Sequence, residues 1–142
     1  MKSDYLITRT TAAALDSVCQ SLPEIAQRHR FGVLGMHNLK EKMASKGVAF
    51  GRECRVFEVC NPHQAKEVLS RAMEISTALP CRISVYEEGG RTVLATLKPT
   101  ILLGLFDAPG AAPAAQEVED TIVKIMDEAA GNSPPNGRAG YP

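Results

Sequence analysis

Apolar and polar positions recur along the chain in two periods, and the periods mark the elements. From Asp4 to Thr10, Tyr5, Ile7 and Thr8 predict a first strand. Leu15, Val18, Cys19, Leu22, Ile25 and Ala26 then recur at helical spacing and form one buried face, with Thr10 or Thr11 as the cap. Pro23 either kinks this helix or starts a second one capped by Ser21. Arg28, His29 and Arg30 place positive charge where a helix C-terminus favours it.

Phe31 to Met36 reads as a strand, with Phe31 and Val33 on one face and Leu34 and Met36 on the other. Asn38 and Glu41 have capping-box spacing for a short helix, Leu39 to Lys46, stopped by Gly47. Glu53 to Cys60 is a further strand, with Cys54, Val56, Glu58 and Cys60 sharing one face and Arg55, Phe57 and Val59 the other. Asn61 is a favoured N-cap and Pro62 a favoured first residue for a helix that buries Ala65, Val68, Leu69 and Ala72.

Leu79 to Glu88 and Arg91 to Lys98 are strands joined at Gly89-Gly90, a hairpin signal. Cys81, Ile83 and Val85 line one face of the first, and Val93, Ala95 and Leu97 one face of the second. Pro99 ends the hairpin, and Ile101 to Phe106 is a short helical segment. After the linker DAPGAAPAA, Val118, Ile122, Ile125, Met126 and Ala129 form the stripe of a last helix from Ala115 to Ala130. Residues 131–142 have no apolar period and are expected to be disordered. These elements predict one α+β domain over residues 1–130, a mostly antiparallel sheet of about five strands with helices packed on one face.

Composition narrows the function. Lys+Arg and Asp+Glu number 16 each and are interspersed, so the clustered positive charge of a nucleic-acid surface is missing. Ile101 to Phe106, the longest apolar run, is too short to span a bilayer, and Met1 to Thr11 lacks a secretory pattern. A cytoplasmic protein with no membrane or nucleic-acid partner is expected, its Cys19, Cys54, Cys60 and Cys81 reduced.

Cys60 stands directly before Asn61-Pro62, where a helix leaves unpaired N–H groups and a positive dipole end. A thiol held there is favoured as thiolate, the form that attacks electrophiles and ligates metals. The plainer alternative is a small buried residue that ends a strand. Cys81 begins a strand after Leu79-Pro80; should its strand pair with that of Cys60, the thiols meet as a redox dithiol or as two ligands for Cu(I) or Zn. His63, in the first turn, is the candidate third ligand, with a solvent-facing role as its alternative. His37 precedes a cap and has the same two readings, while His29 and Cys19 read as helix charge and packing. Glu58, on a face otherwise made of Cys54, Val56 and Cys60, needs a partner such as Arg55 or Arg82.

The stretches FGVLGMHNLKEKM, RVFEVCNPHQAKEVL and LPCRISVYEEGGRTVLATLKP resemble, in order and from about Tyr5 to Ala130, the bacterial and archaeal family named domain of unknown function 302. The specific pieces are Cys60-Asn61-Pro62 with Ala65, and Leu79-Pro80-Cys81 leading into Val85-Tyr86-Glu87. The resemblance implies a curved antiparallel sheet of the TATA-box-binding-protein-like type with helices on one side, often dimeric, and it supplies no reaction. It also implies cysteines at the positions of Cys60 and Cys81, with Cys19 and Cys54 outside the pattern. The chain departs from the family at Arg30, where glycine is usual, at Pro23, and at His37-Asn38-Leu39.

The leading expectation is a binding or thiol-relay module for a metal, small ligand or sulfur, its site made of Cys60, Cys81, Asn61 and His63. The alternative is a non-catalytic homodimeric interaction module, joined through its sheet or the Ile101–Phe106 segment, in which both cysteines are packing. No catalytic residues are assigned; an enzyme would draw its base from His63, His37 or Glu58.

Overall fold

Five strands and five helices account for most of the chain in a computed structural model that describes residues 1–131. The expected disorder of residues 131–142 lies, past Gly131, outside the described residues. Strands β1 (Leu6–Thr11), β2 (Gly32–Asn38), β3 (Cys54–Cys60), β4 (Cys81–Glu88) and β5 (Arg91–Leu97) form one antiparallel sheet in the order β1-β5-β4-β3-β2. Helices α1 (Leu15–Arg28), α2 (Leu39–Ser45), α3 (Pro62–Arg71), α4 (Pro99–Leu103) and α5 (Ala112–Ala129) complete the α+β fold.

Local chemistry explains most boundaries. Asn38 Oδ1 accepts from Glu41 N at the start of α2, and Asn61 Oδ1 from His63 N and Gln64 N at the start of α3. Gly89 and Gly90, at φ +61° and +77°, supply the two left-handed residues of a tight hairpin. The end of α1 is a Schellman motif: Phe31 N donates to Ala26 O and Arg30 N to Gln27 O. Arg30, at φ 68°, holds the left-handed position there. Side-chain crowding makes that conformation costly for an arginine, where glycine adopts it freely.

Several expectations shift. A 3-10 turn, Lys2–Asp4, comes first, so β1 starts at Leu6. Helix α1 runs through Pro23 without dividing, and Ser21 donates to Val18 O instead of capping a second helix. Ala14, not a threonine, is its N-cap. Register slips between Val33 and Gly35, which breaks the alternation of β2 and leaves Leu34 and Met36 exposed. A 3-10 segment, Met73–Ala78, stands where the sequence pattern predicts no element. Pro99 opens α4, and a carboxylate from another helix steadies its first turn: Glu119 Oε1 on α5 accepts from Thr100 Oγ1 at 2.6 Å and Thr100 N at 3.1 Å.

The main core lies between the sheet and the pair α1 and α5. Leu22, Ile25, Ile122, Ile125 and Met126 press on Phe57, Val59, Ile83, Val85 and Leu94. Each such burial is worth roughly 1.5–3 kcal/mol against exposure. A second cluster, Val68, Ile75, Leu103, Ala114 and Ala115, joins α3, the 3-10 segment, α4 and the start of α5. Val93, Ala95 and Leu97 share a face as expected, but it is the face turned away from α1 and α5; Leu94 is the core residue of β5. The two clusters meet at the end of β3 and the beginning of β4.

Candidate functional site

Strand register brings the two candidate cysteines together. Val59 of β3 pairs with Cys81 of β4, and Cys60 follows Val59 as the last residue of its strand. Both cysteines wall one cavity of about 20 Å³ beside the N-terminus of α3. That is space for a single water-sized occupant. Phe31, Val59 and Val118 close it from the main core, Val68 and Leu103 from the second cluster, and Leu79 and Pro80 from the approach to β4. Both thiols are free and half-buried.

Asn61 and His63 part company here. Asn61 lines the cavity while its Oδ1 caps α3. His63 is exposed and forms no part of the wall. Among the described residues no three His, Cys, Asp or Glu side chains are grouped to hold a metal ion, so the set Cys60, Cys81 and His63 is not assembled. The reason lies in helical geometry: the first turn turns His63 outward and carries Gln64 inward, above Val68.

Gln64 is the residue that sequence reasoning missed. It lines the cavity, its Nε2 donates to Glu117 Oε1 at 3.1 Å, and its Oε1 is buried with no hydrogen-bond partner. The spacing Gln64–Val68 on a helix with one inward face was the available signal.

Burial favours the protonated form of both thiols. Burial pushes the Cys60 thiol above its ordinary range. Burial also pushes Cys81 up to about 11, the neighbouring Cys60 adds to the rise, and Arg82 pulls the other way. Burial thus works against the thiolate form expected of a thiol at the helix end. The Asn61 side chain already takes the donors of His63 and Gln64, and low-dielectric surroundings favour the neutral thiol.

The other candidates lie elsewhere. On the sheet face away from α1 and α5, Glu58 Oε1 is 3.4 Å from His37 Nε2 and Oε2 is 3.8 Å from Arg82 Nη2. Arg82 and His37, rather than Arg55, thus answer the question of its partner. Arg55 faces the core side and pairs with Asp16 at 2.8 Å. Cys54 Sγ lies 3.8 Å from Ser84 Oγ, and Cys19 is buried in α1. His29 Nε2 is 2.7 Å from Glu128 Oε2, tying the end of α1 to α5.

No helix among the described residues is long and apolar enough to cross a membrane. No curated protein matches the chain. A solved structure is similar to it: an uncharacterized conserved protein DUF302 from Bacillus stearothermophilus, with 30% sequence identity and a TM-score of 0.83, covering 87% of this chain and 97% of that one. Residues 7–129, which include both cavity cysteines and every strand but the first residue of β1, match the family described as Domain of unknown function DUF302, and the chain belongs to that family.

Proposed function

We propose that this protein is a small binding module that takes up a soft cation, Cu(I), between Cys60 and Cys81. The observation that carries the reading is the single cavity walled by both thiols. Thiolate ligands select soft ions such as Cu(I). Zinc normally takes four ligands, and no three-ligand group is available among the described residues. A sulfur relay would need a nucleophilic thiolate, which the raised pKa values of both groups oppose. Metal uptake asks less of them, since a bound ion displaces the thiol proton. Four free cysteines fit a reducing, cytoplasmic setting.

Anaerobic titration with Cu(I) against a chromophoric competing chelator tests the reading. One equivalent per chain is expected, lost in Cys60→Ser and in Cys81→Ser and kept in Cys54→Ser. Failure of the wild type to withdraw Cu(I), or retention by the Cys60→Ser/Cys81→Ser pair, overturns it.

A second reading, a homodimeric interaction module, rests on the sheet face that α1 and α5 leave uncovered. Leu6, Val56 and Leu97 lie there with Glu58 and Arg82, and Leu97 is 50% exposed. Sedimentation should then show a dimer that Leu97→Glu dissociates, with Cys60→Ala/Cys81→Ala losing stability but not the dimer. A monomer at every concentration removes this reading.

A further inference from the structure

Cys81 walls two cavities. Besides the one shared with Cys60, it lines a second of about 70 Å³, bounded by Ala78, Pro80, Pro99 and Leu102 with Leu97 at the end of β5. Thr96 also lines it, but its hydroxyl already donates to the carbonyls of Arg82 and Leu97. Arg82 is the only charged residue of this wall, and its side chain is 59% exposed. Its nearest countercharge, Glu58, stands at 3.8 Å, beyond hydrogen-bond length. Cys81 therefore borders a cramped chamber shared with Cys60 and a roomier, largely apolar one with a single cation.

We infer that the second cavity is the port to the thiol pair, and that it admits small thiophilic anions. For the cargo proposed above, on which this part of the inference rests, the class is an anionic Cu(I)–thiolate complex. A cavity of about 20 Å³ has room for one water-sized occupant and excludes such a donor. The larger one receives the tip of a donor, with Cys81 as the shared wall. The charge of Arg82 reaches the Cys81 sulfur, where it opposes the effect of burial.

Exchange at Cys81 needs no electron donor or acceptor. The Cys81 thiol gives its proton to one small thiolate as that ligand leaves, and the Cys81 sulfur takes its place on the cation. Cys60 displaces the second small thiolate in the same way. Two small thiols depart and the cation ends between two protein thiolates.

The test uses metal-free protein and two methanethiosulfonates of similar size, one ending in a sulfonate and one in a trimethylammonium. Modification of Cys81 is followed by peptide mass mapping, each rate divided by that of the same reagent with a small reference thiol. The normalised rate should favour the anionic reagent by about fivefold or more, the effect of one nearby charge in a partly screened site. Arg82→Gln should abolish the preference, Arg82→Lys should restore it, and Glu58→Gln should increase it. Equal normalised rates, a preference for the cationic reagent, a preference indifferent to residue 82, or a Cys81 that neither reagent modifies would each overturn the port. Charge selectivity without Cu(I) uptake would retire the cargo and keep the port; Cu(I) uptake without selectivity would do the reverse.

Discussion

Cys60 and Cys81 wall one cavity at the end of the β3–β4 ladder, where Val59 pairs with Cys81 and Cys60 is the next residue along. Neighbours on one strand point to opposite faces, so this pairing alone would separate the two side chains. They share a cavity because Cys60 is the last residue of β3, where the chain turns into the cap of α3.

Alkaline pH should weaken the fold through Cys81. Its thiol is raised from an ordinary 9 to about 11, so the folded state keeps a proton that the unfolded chain releases. The stability this provides is complete below about pH 9 and lost as pH rises through about 11. Relative to Cys81→Ala, wild-type unfolding free energy should fall by on the order of 2–3 kcal/mol across that window. Urea melts of both proteins from pH 8 to 11 measure it, and parallel curves would contradict it.

Gln64→Met should cost no stability in metal-free protein. The substitution removes a buried oxygen that has no partner, at nearly constant shape. The bond it also removes, Gln64 Nε2 to Glu117, is exposed and worth little. An unchanged or higher Tm is expected; a drop of several degrees would mean that Oε1 is satisfied by an occupant of the cavity.

Glu119→Ala should cost about 1–2 kcal/mol, since Glu119 stands in for the N-cap side chain that α4 lacks at Lys98. Glu119→Gln, which keeps an acceptor, should recover much of the loss. Amide exchange at Thr100 reports directly on this bond and should quicken in the alanine variant.

Arg30→Gly should stabilise the protein by up to about 1 kcal/mol. The left-handed conformation at φ 68° strains arginine and not glycine, while the extra freedom of glycine in the unfolded chain offsets part of the gain. Chemical denaturation reads the difference, and a loss of stability would show that the Arg30 side chain contributes more than its backbone costs.

The elements with strong local chemistry were legible in sequence: the caps at Asn38 and Asn61, the Gly89-Gly90 hairpin, and the apolar stripes of α1 and α5. What failed to show was set by tertiary packing. Pro23 stays helical because Leu22, Ile25 and Ala26 are fully or nearly fully buried, and that burial outweighs one missing backbone bond. The slip after Val33 belongs to strand pairing, which no single segment encodes. At the site, the two cysteines were readable as candidates but their meeting was not. Gln64 was overlooked because His63, the more reactive residue type, stood beside it in the same turn.

The sheet order also sets how much chain each strand pairing must close. β2 pairs with β3, β3 with β4 and β4 with β5, so these strands can add one after another with modest loop closure. The first strand cannot: Leu6 pairs with Leu97, across nearly the whole ladder-forming length of the chain. During synthesis β1 has no strand partner until β5 has emerged, whereas α1 already finds packing partners in β2 and β4. The thiol cavity forms among β3, α3 and β4, which precede that closure, although Leu103 and Val118 seal it only after later segments arrive.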